Sequence, residues 1–350
     1  MKIAIYALAK NESANVARWE ASCREADVRV VTDTGSTDDT VALLEAAGVT
    51  VRHGHVVPWR WDDAHNLSLH HVPADVDVAI RLDLDESFQP GWREALERAW
   101  AEGTTRLHYP YHWSPDVRFY GDRIHRRAGH RWQGATHEGL VCWDGEEKVV
   151  RTDEVVILHH REPGKTHKSD LTLLRQACRE NPTDTRMHWY FARELDYAGD
   201  EAAAEAYERY LQMPGGSPHE RAHACRRLAR MRTENADRFN LAAMFNSPHE
   251  PEVYASLAGR AWSMQDAVGA LYWGRRAIAC ADANRNHASE PWAYSAVPAA
   301  IACSAAHALG LYDEAIQYAR EAAKREPDDP TNAANLKALE TLKSEEGPKP

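Results

Sequence analysis

Two carboxylates one residue apart, Asp83 and Asp85, end the apolar run in DVAIRLDLDE (77–86). In an extended chain, residues i and i+2 point the same way, so both acids at a strand end can face one site. Carboxylate oxygens suit a hard divalent cation, Mn²⁺ or Mg²⁺, and leave coordination positions for phosphates. A short D-x-D says little alone, and its weight comes from a second acidic segment, DTGSTDDT (33–40), that also follows a strand-like run. Two solvated acids are the competing reading, disfavoured because the apolar strand leads directly into them.

Other chemistry-bearing residues are less specific. Arg123, Arg126, Arg127 and Arg131 form one basic cluster, and Arg221, Arg226, Arg227, Arg230 and Arg232 another. Ion-paired or solvated faces explain both, and either could receive a phosphate-bearing ligand. Of Trp59, Trp61, Trp113, Trp132 and Trp143, whose commoner fate is core packing, only Trp132 adjoins a candidate catalytic segment. PGKT (163–166) resembles the end of a phosphate-binding loop, but His159 stands where the required glycine belongs. No G-x-G-x-x-G is present.

These residues sit on a regular alternation. KIAIYALA reads as a strand, SANVARWEASC as an amphipathic helix, VRVVT (28–32) as a second strand, TVALLEAA as a helix and VTVRHG as a third strand. Ser36 is placed as the second helix's N-cap with Asp39 as its capping-box partner, and Gly48 as its C′ glycine. The order predicts a mostly parallel sheet with helices on both faces, which binds ligands at the carboxyl ends of its strands. TRLHYPYHW, DRIHRR, HEGLVCWD and EVVILHH read as further strands, and beyond about residue 165 helical spacing takes over. There LGLYDEAIQYAREAAKREP (309–327) sets Gly310, Tyr312, Ala315, Ala319, Ala322 and Pro327 at tetratricopeptide-like offsets. AGDEAAAEAYERYLQMP and, more loosely, AWSMQDAVGALYWGRRAIA repeat that shape, although an irregular bundle would show similar alanines.

At 350 residues the chain can hold two domains, expected at 1–165 and 166–345. Its 43% apolar and 27% charged content are those of a soluble globular protein. A net charge of −11 argues against nonspecific coating of nucleic acid. Six scattered cysteines without a C-x-x-C argue against a disulfide scaffold or structural zinc. No run nears the roughly 20 apolar residues of a membrane span, and no secretory signal is evident, so a cytoplasmic location is expected.

In the order ALAKNE (7–12), DTGSTDDT (33–40), WRWDDAHN (59–66), LDLDE (82–86), RWQGATHE (131–138), ILHH (157–160) and ENPTD (180–184), the chain resembles the family 2 glycosyltransferases of GT-A fold that carry a C-terminal tetratricopeptide-like helical region. The resemblance spans nearly the whole chain and implies an α/β, Rossmann-like catalytic domain followed by an all-α domain. It departs at His65, where related sequences usually carry arginine. It implies metal-dependent inverting transfer from a nucleoside diphosphate sugar, UDP-linked by preference, to an acceptor hydroxyl. The acceptor is left open among a glycan, a peptide and a hydroxymethylated DNA base.

By the same resemblance Asp85 is the direct metal ligand, and Asp83 contacts ribose or metal-bound water. One of His159 and His160, preferably His159, completes the metal sphere. Glu138 is the general base, with His137 orienting substrate or taking over that role. Asp33 accepts a hydrogen bond from the nucleotide base, while Ala7, Asn11, Glu12, Asn66 and Trp132 belong to the substrate site. For Glu12, favourable charge at a helix start is an equal reading. The helical repeats would bind a protein partner or a second copy. Two other classes stay open: a catalytically silent domain whose helices recruit a partner, and a nucleotidyltransferase.

Overall fold

The computed structural model describes residues 1–114, 117–160, 170–281 and 285–346. Two compact units divide the chain, Met1–Met187 and His188–Pro350. The expected boundary at 165/166 and the PGKT stretch lie outside the described residues.

The first unit opens with β1 (Ile3–Ala9), α1 (Ser13–Cys23), β2 (Val28–Asp33), α2 (Thr40–Ala46) and β3 (Thr50–His53), the alternation that the sequence pattern predicts. It continues through α3 (Trp61–His70), β4 (Val78–Arg81), β5 (Glu86–Phe88), α4 (Trp92–Ala99), β6 (Arg106–His112), β7 (Arg118–Arg126), β8 (His130–Gln133), β9 (Gly139–Cys142), β10 (Val149–Arg151), β11 (Ile157–His159) and α5 (Leu171–Glu180). The main sheet runs β3-β2-β1-β4-β7-β6-β11-β5, with β10 also beside β6, and β8 pairs with β9 separately. It is mixed and largely parallel. β7 runs antiparallel to both β4 and β6, and β5 antiparallel to β11. β5, β8 and β10 are too short to announce themselves in the sequence.

β1 is buried on both faces, which is why it reads as a continuous apolar run. Ile3, Ile5, Ala7 and Ala9 share a core with Val16 and Trp19 of α1, Leu44 of α2, and Trp92 and Leu96 of α4. Ala4 and Tyr6 pack on the other side with Leu69 of α3 and Val72.

Helix α2 starts at Thr40, where the TVALLEAA run predicts it, but Asp39 rather than Ser36 occupies the N-cap position. Asp38 holds the preceding turn: its Oδ1 accepts from Thr40 Oγ1 at 2.5 Å and Thr40 N at 3.1 Å, and its Oδ2 from Ser13 N at 3.2 Å. Ser36 Oγ instead accepts from Asn11 N at 2.9 Å. Gly48, with φ of 73°, takes the left-handed position just past the helix end.

α6 (Thr185–Tyr197) crosses the division. The second unit continues with α7 (Ala203–Gln212), α8 (Pro218–Met231), α9 (Ala236–Asn246), α10 (Pro251–Ser263), α11 (Ala267–Ala279), α12 (Val297–Ala308), α13 (Tyr312–Arg325) and α14 (Pro330–Glu346). Among the described residues it contains no strand. Successive helices from α10 to α14 pack on one another. The turn between α12 and α13 carries Gly310 at φ 71°, and Ala315, Ala319 and Ala322 are buried, as the repeat pattern predicts. In the looser copy Gln265 takes the left-handed turn position at φ 62°. The arginine cluster of this unit is largely ion-paired: Arg227 meets Asp196 and Glu290, Arg226 meets Glu290 and Glu250, and Arg232 meets Glu208. No helix is long and apolar enough to cross a membrane among the described residues.

Candidate functional site

Parallel pairing in register sets Ala9, Asp33 and His53 side by side at the carboxyl ends of β1, β2 and β3. The loops leaving β1 and β2 are stitched together there. Asn11, at φ 58°, accepts through Oδ1 from Thr37 N at 2.7 Å, and Glu12 N donates to Thr40 Oγ1 at 2.8 Å. Glu12 Oε2 accepts from Asn15 Nδ2 at 2.7 Å, a bond to the first turn of α1. The buried Asp33 carboxylate accepts from the backbone N of Gly35 at 3.1 Å and of Ser36 at 3.2 Å, so it shapes the turn that follows it. Ala7 lies inside β1, and its carbonyl accepts from Ser68 Oγ at 3.0 Å.

β4 ends at Arg81, and the chain turns immediately: Glu86 N donates to Asp83 O at 2.9 Å. The i, i+2 geometry of an extended strand therefore does not apply to Asp83 and Asp85, and the two acids have different partners. Asp83 accepts from Arg81 Nε at 3.2 Å and Nη2 at 3.1 Å, and from Arg123 Nη1 at 3.0 Å. Burial works against its charge, but the two guanidiniums outweigh it and hold the carboxyl well below the usual range. Arg123 Nη2 also donates at 2.5 Å to Glu86, whose Oε1 accepts from Tyr111 Oη at 2.6 Å. Arg123, an open candidate for phosphate binding by sequence, is thus held, largely out of solvent, between two acids. Its cluster mate Arg127 donates to the Val72 carbonyl, and Arg126 to those of Ala128 and Asp144.

Asp85 meets a different group. Antiparallel pairing of β5 with β11 sets His159 opposite Glu86, beside Asp85, and leaves His159 Nε2 3.4 Å from Asp85 Oδ2. The His159 ring stacks on Trp113, centroids 4.2 Å apart and planes 6° from parallel, with Nδ1 3.2 Å from the Trp113 carbonyl. That carbonyl fixes Nδ1 as the protonated nitrogen and turns the Nε2 lone pair toward Asp85. Burial disfavours the charged ring, yet Asp85 and the carbonyl overcome it and raise the pKa. His160 points away, its Nε2 2.7 Å from Ser87 Oγ, as strand alternation requires. Two donors on one ion at about 2.1 Å lie roughly 3.0–3.4 Å apart, so this oxygen and nitrogen suit a shared divalent ion, with Mn²⁺ accepting imidazole more readily than Mg²⁺.

Glu138 lies at the other end of Arg81. Its Oε1 accepts from Arg81 Nη1 at 2.7 Å and lies 3.3 Å from His65 Nε2. Burial alone would raise its pKa, but His65 and Arg81 hold it down to about 2. His65 is buried between Trp61 and Trp132, with ring centroids 6.0 and 5.4 Å away. His137, next to Glu138, has φ of 49°. Asn66 clamps the Trp132 backbone, accepting from its N at 2.8 Å and donating to its O at 2.9 Å. Trp132 is itself buried: Nε1 donates to Tyr6 Oη at 2.9 Å, and the Arg81 guanidinium lies 4.8 Å above its ring. Asn66 thus fixes the position of Trp132, whose ring packs against Arg81.

Glu138, Arg81, Asp83, Arg123 and Glu86 form one chain of alternating charge. Sequence reasoning missed Arg81 and Glu86, although Glu86 follows the D-x-D directly and Arg81 stands two residues before it, and passed over Trp113 as an aromatic of unassigned role.

No family model matches the chain, and no curated protein matches it. Solved structures do match, remotely. S. aureus TarS, as residues 1–349, is 10% identical, with 79% of this chain and 90% of that one covered at a TM-score of 0.39. YrrB, described as a TPR protein with an unusual peptide-binding site, is 16% identical over 49% of this chain and 84% of that one, TM-score 0.39. The Cut9–Hcn1 hetero-tetramer of the APC/C is 15% identical over 51% of this chain, TM-score 0.39, and this chain spans only 33% of that one.

Proposed function

We propose that the first unit is a metal-dependent inverting glycosyltransferase, moving a sugar from a nucleoside diphosphate donor, UDP-linked by preference, to an acceptor hydroxyl. The observation that carries this reading is the meeting of Asp85 with His159, a carboxylate and an oriented imidazole near the carboxyl ends of parallel strands. Asp85 Oδ2 and His159 Nε2 are the groups that would hold a divalent ion, Mn²⁺ or Mg²⁺, which when bound would offset charge on the departing diphosphate. Asp83 is assigned to keeping Arg81 and Arg123 in place, leaving Asp85 as the ligand within the D-x-D. The turn built by Asp33, Asn11 and Glu12 offers the nucleoside a rigid edge.

Glu138 is assigned to receive the acceptor proton. Its pairing with Arg81 keeps it ionised and therefore able to accept a hydrogen bond from a hydroxyl. The same pairing makes it a weak base, so the role requires that acceptor binding loosen the contact with Arg81. His137 is assigned to orient the acceptor, and the helical unit to recruit a partner or second copy.

The test is calorimetry and thermal shift with UDP, GDP, CDP and TDP, each with Mn²⁺, Mg²⁺ or chelator, on wild type and Asp85→Ala. Metal-dependent binding of one nucleotide, lost in the variant, supports the reading. Absence of binding under every condition overturns it in favour of a silent domain. Pyrophosphate release during turnover would identify a nucleotidyltransferase instead. Candidate acceptors of the three classes are then screened, with steep salt dependence marking DNA.

A further inference from the structure

The β8–β9 hairpin gathers a second set of metal-ligating groups, separate from Asp85 and His159. His130 and Cys142 are directly opposed in the antiparallel ladder, which sets their side chains on one face. Glu147, five residues beyond Cys142, folds back so that one ligand atom from each of the three lies within 4.8 Å of the others.

His130 supplies the observation that points to a ligand. Its side chain is fully buried, and Nε2 has no hydrogen-bond partner; Glu147 Oε1 is 3.7 Å away. A buried ring nitrogen left this way forfeits a hydrogen bond unless something takes its lone pair. Nδ1 lies 3.2 Å from the Ala128 carbonyl, which makes Nδ1 the protonated nitrogen and leaves Nε2 as a lone pair facing the cluster. A carbonyl behind a histidine in this way is the usual outer support of a metal-bound imidazole. Glu147 is held as well: its Oε1 pairs with the Arg106 guanidinium, 2.6 Å from Nη2, while Arg106 Nη2 donates to the Leu140 carbonyl at 2.7 Å and Nη1 to Asp122 at 3.0 Å.

We propose that His130, Cys142 and Glu147 form a binding site for a Zn²⁺-class ion that ties the β8–β9 hairpin to the segment after it. One nitrogen, one sulfur and one oxygen donor select a borderline-soft cation over Mg²⁺ or Ca²⁺. On binding, the Cys142 thiol releases its proton to solvent as the sulfur–metal bond forms, and His130 binds neutral. Thiolate and carboxylate together balance the ion's two charges. Arg106 remains on the Glu147 carboxylate, and three protein ligands leave a fourth position for water.

The probe is Co²⁺, and then Zn²⁺, added to the full chain after chelator treatment. The site requires an intense near-ultraviolet thiolate-to-cobalt band that saturates near one ion per chain and is displaced by Zn²⁺. Cys142→Ser must abolish the band, and Glu147→Gln must weaken Co²⁺ binding at least tenfold, with unchanged far-ultraviolet circular dichroism in both. Asp85→Ala must keep the band. A wild-type chain without the band, or a Cys142→Ser chain that retains it, overturns the assignment.

Discussion

Replacing Glu138 by Gln removes one buried charge from Arg81 and His65 while keeping the side chain's shape. Glu138 is held at about 2 against an ordinary 4.5, which corresponds to about 3 kcal/mol of stabilisation in the ionised state. Its folded value lies below its unfolded one, so this stabilisation is complete above the unfolded value and is lost as pH falls toward the folded one. Relative to pH 7, linkage gives a loss of about 1 kcal/mol by pH 4 and about 2 kcal/mol by pH 3. Gln can still accept from Arg81, so a pH-independent part of the difference will be smaller than the charge term. The assay is urea unfolding of both proteins from pH 7 down to pH 3.5, followed by fluorescence. Subtracting the two stability curves cancels the titrating groups remote from Glu138, including those of the second unit, and leaves Glu138 with the neighbours coupled to it, His65 and Asp83. The gap between wild type and variant must narrow as pH falls; a gap that stays constant would refute the ion-pair reasoning.

Three further outcomes follow from the same geometry. Asn66→Ala strips both backbone partners from Trp132 and should cost about 1–3 kcal/mol for each group left unsatisfied, read as a lower unfolding midpoint. Gly121→Ala places a Cβ 2.7 Å from the Tyr109 ring on the paired strand, and should destabilise by about 1–3 kcal/mol through overpacking, measured by urea titration. His159→Ala should weaken Mn²⁺-dependent nucleotide binding at least tenfold in calorimetry while His160→Ala changes it little; equal losses would overturn the choice between them.

Much of the first unit was legible because its chemistry is local. The strand from Ile3 to Ala9 and the helix from Ser13 to Cys23 announce themselves by apolar pattern. The cap of the helix after β2 is misread because Ser36 and Asp39 look like a capping box, whereas the working contacts run between loops, from Ser36 to Asn11 and from Asp38 to Ser13. Spacing pointed to Asp83 and Asp85, yet their different partners depend on a turn and on two arginines. Arg123 is distant in sequence and reaches Asp83 only through the position of β7 between β4 and β6. Likewise Glu138 looked like an isolated strand-start acid, and nothing local says that Arg81 and His65 hold it. The Gly310 turn and its buried alanines were readable because helix-pair packing repeats over a short span.

The place of β11 between β6 and β5 has a kinetic side. Asp85 and the β5 strand after it leave the ribosome well before His159, and although β10 pairs with Arg106–His108 of β6, the Tyr111–His112 end of that strand waits for β11. Closing a loop of that length is entropically slow, and the pairing of Asp85 with His159 belongs among the late events of folding. A stalled chain ending before β11 would present an open strand edge and no completed ion pair. That makes the interval between β5 and β11 the one in which this unit depends most on protection from edge-to-edge association.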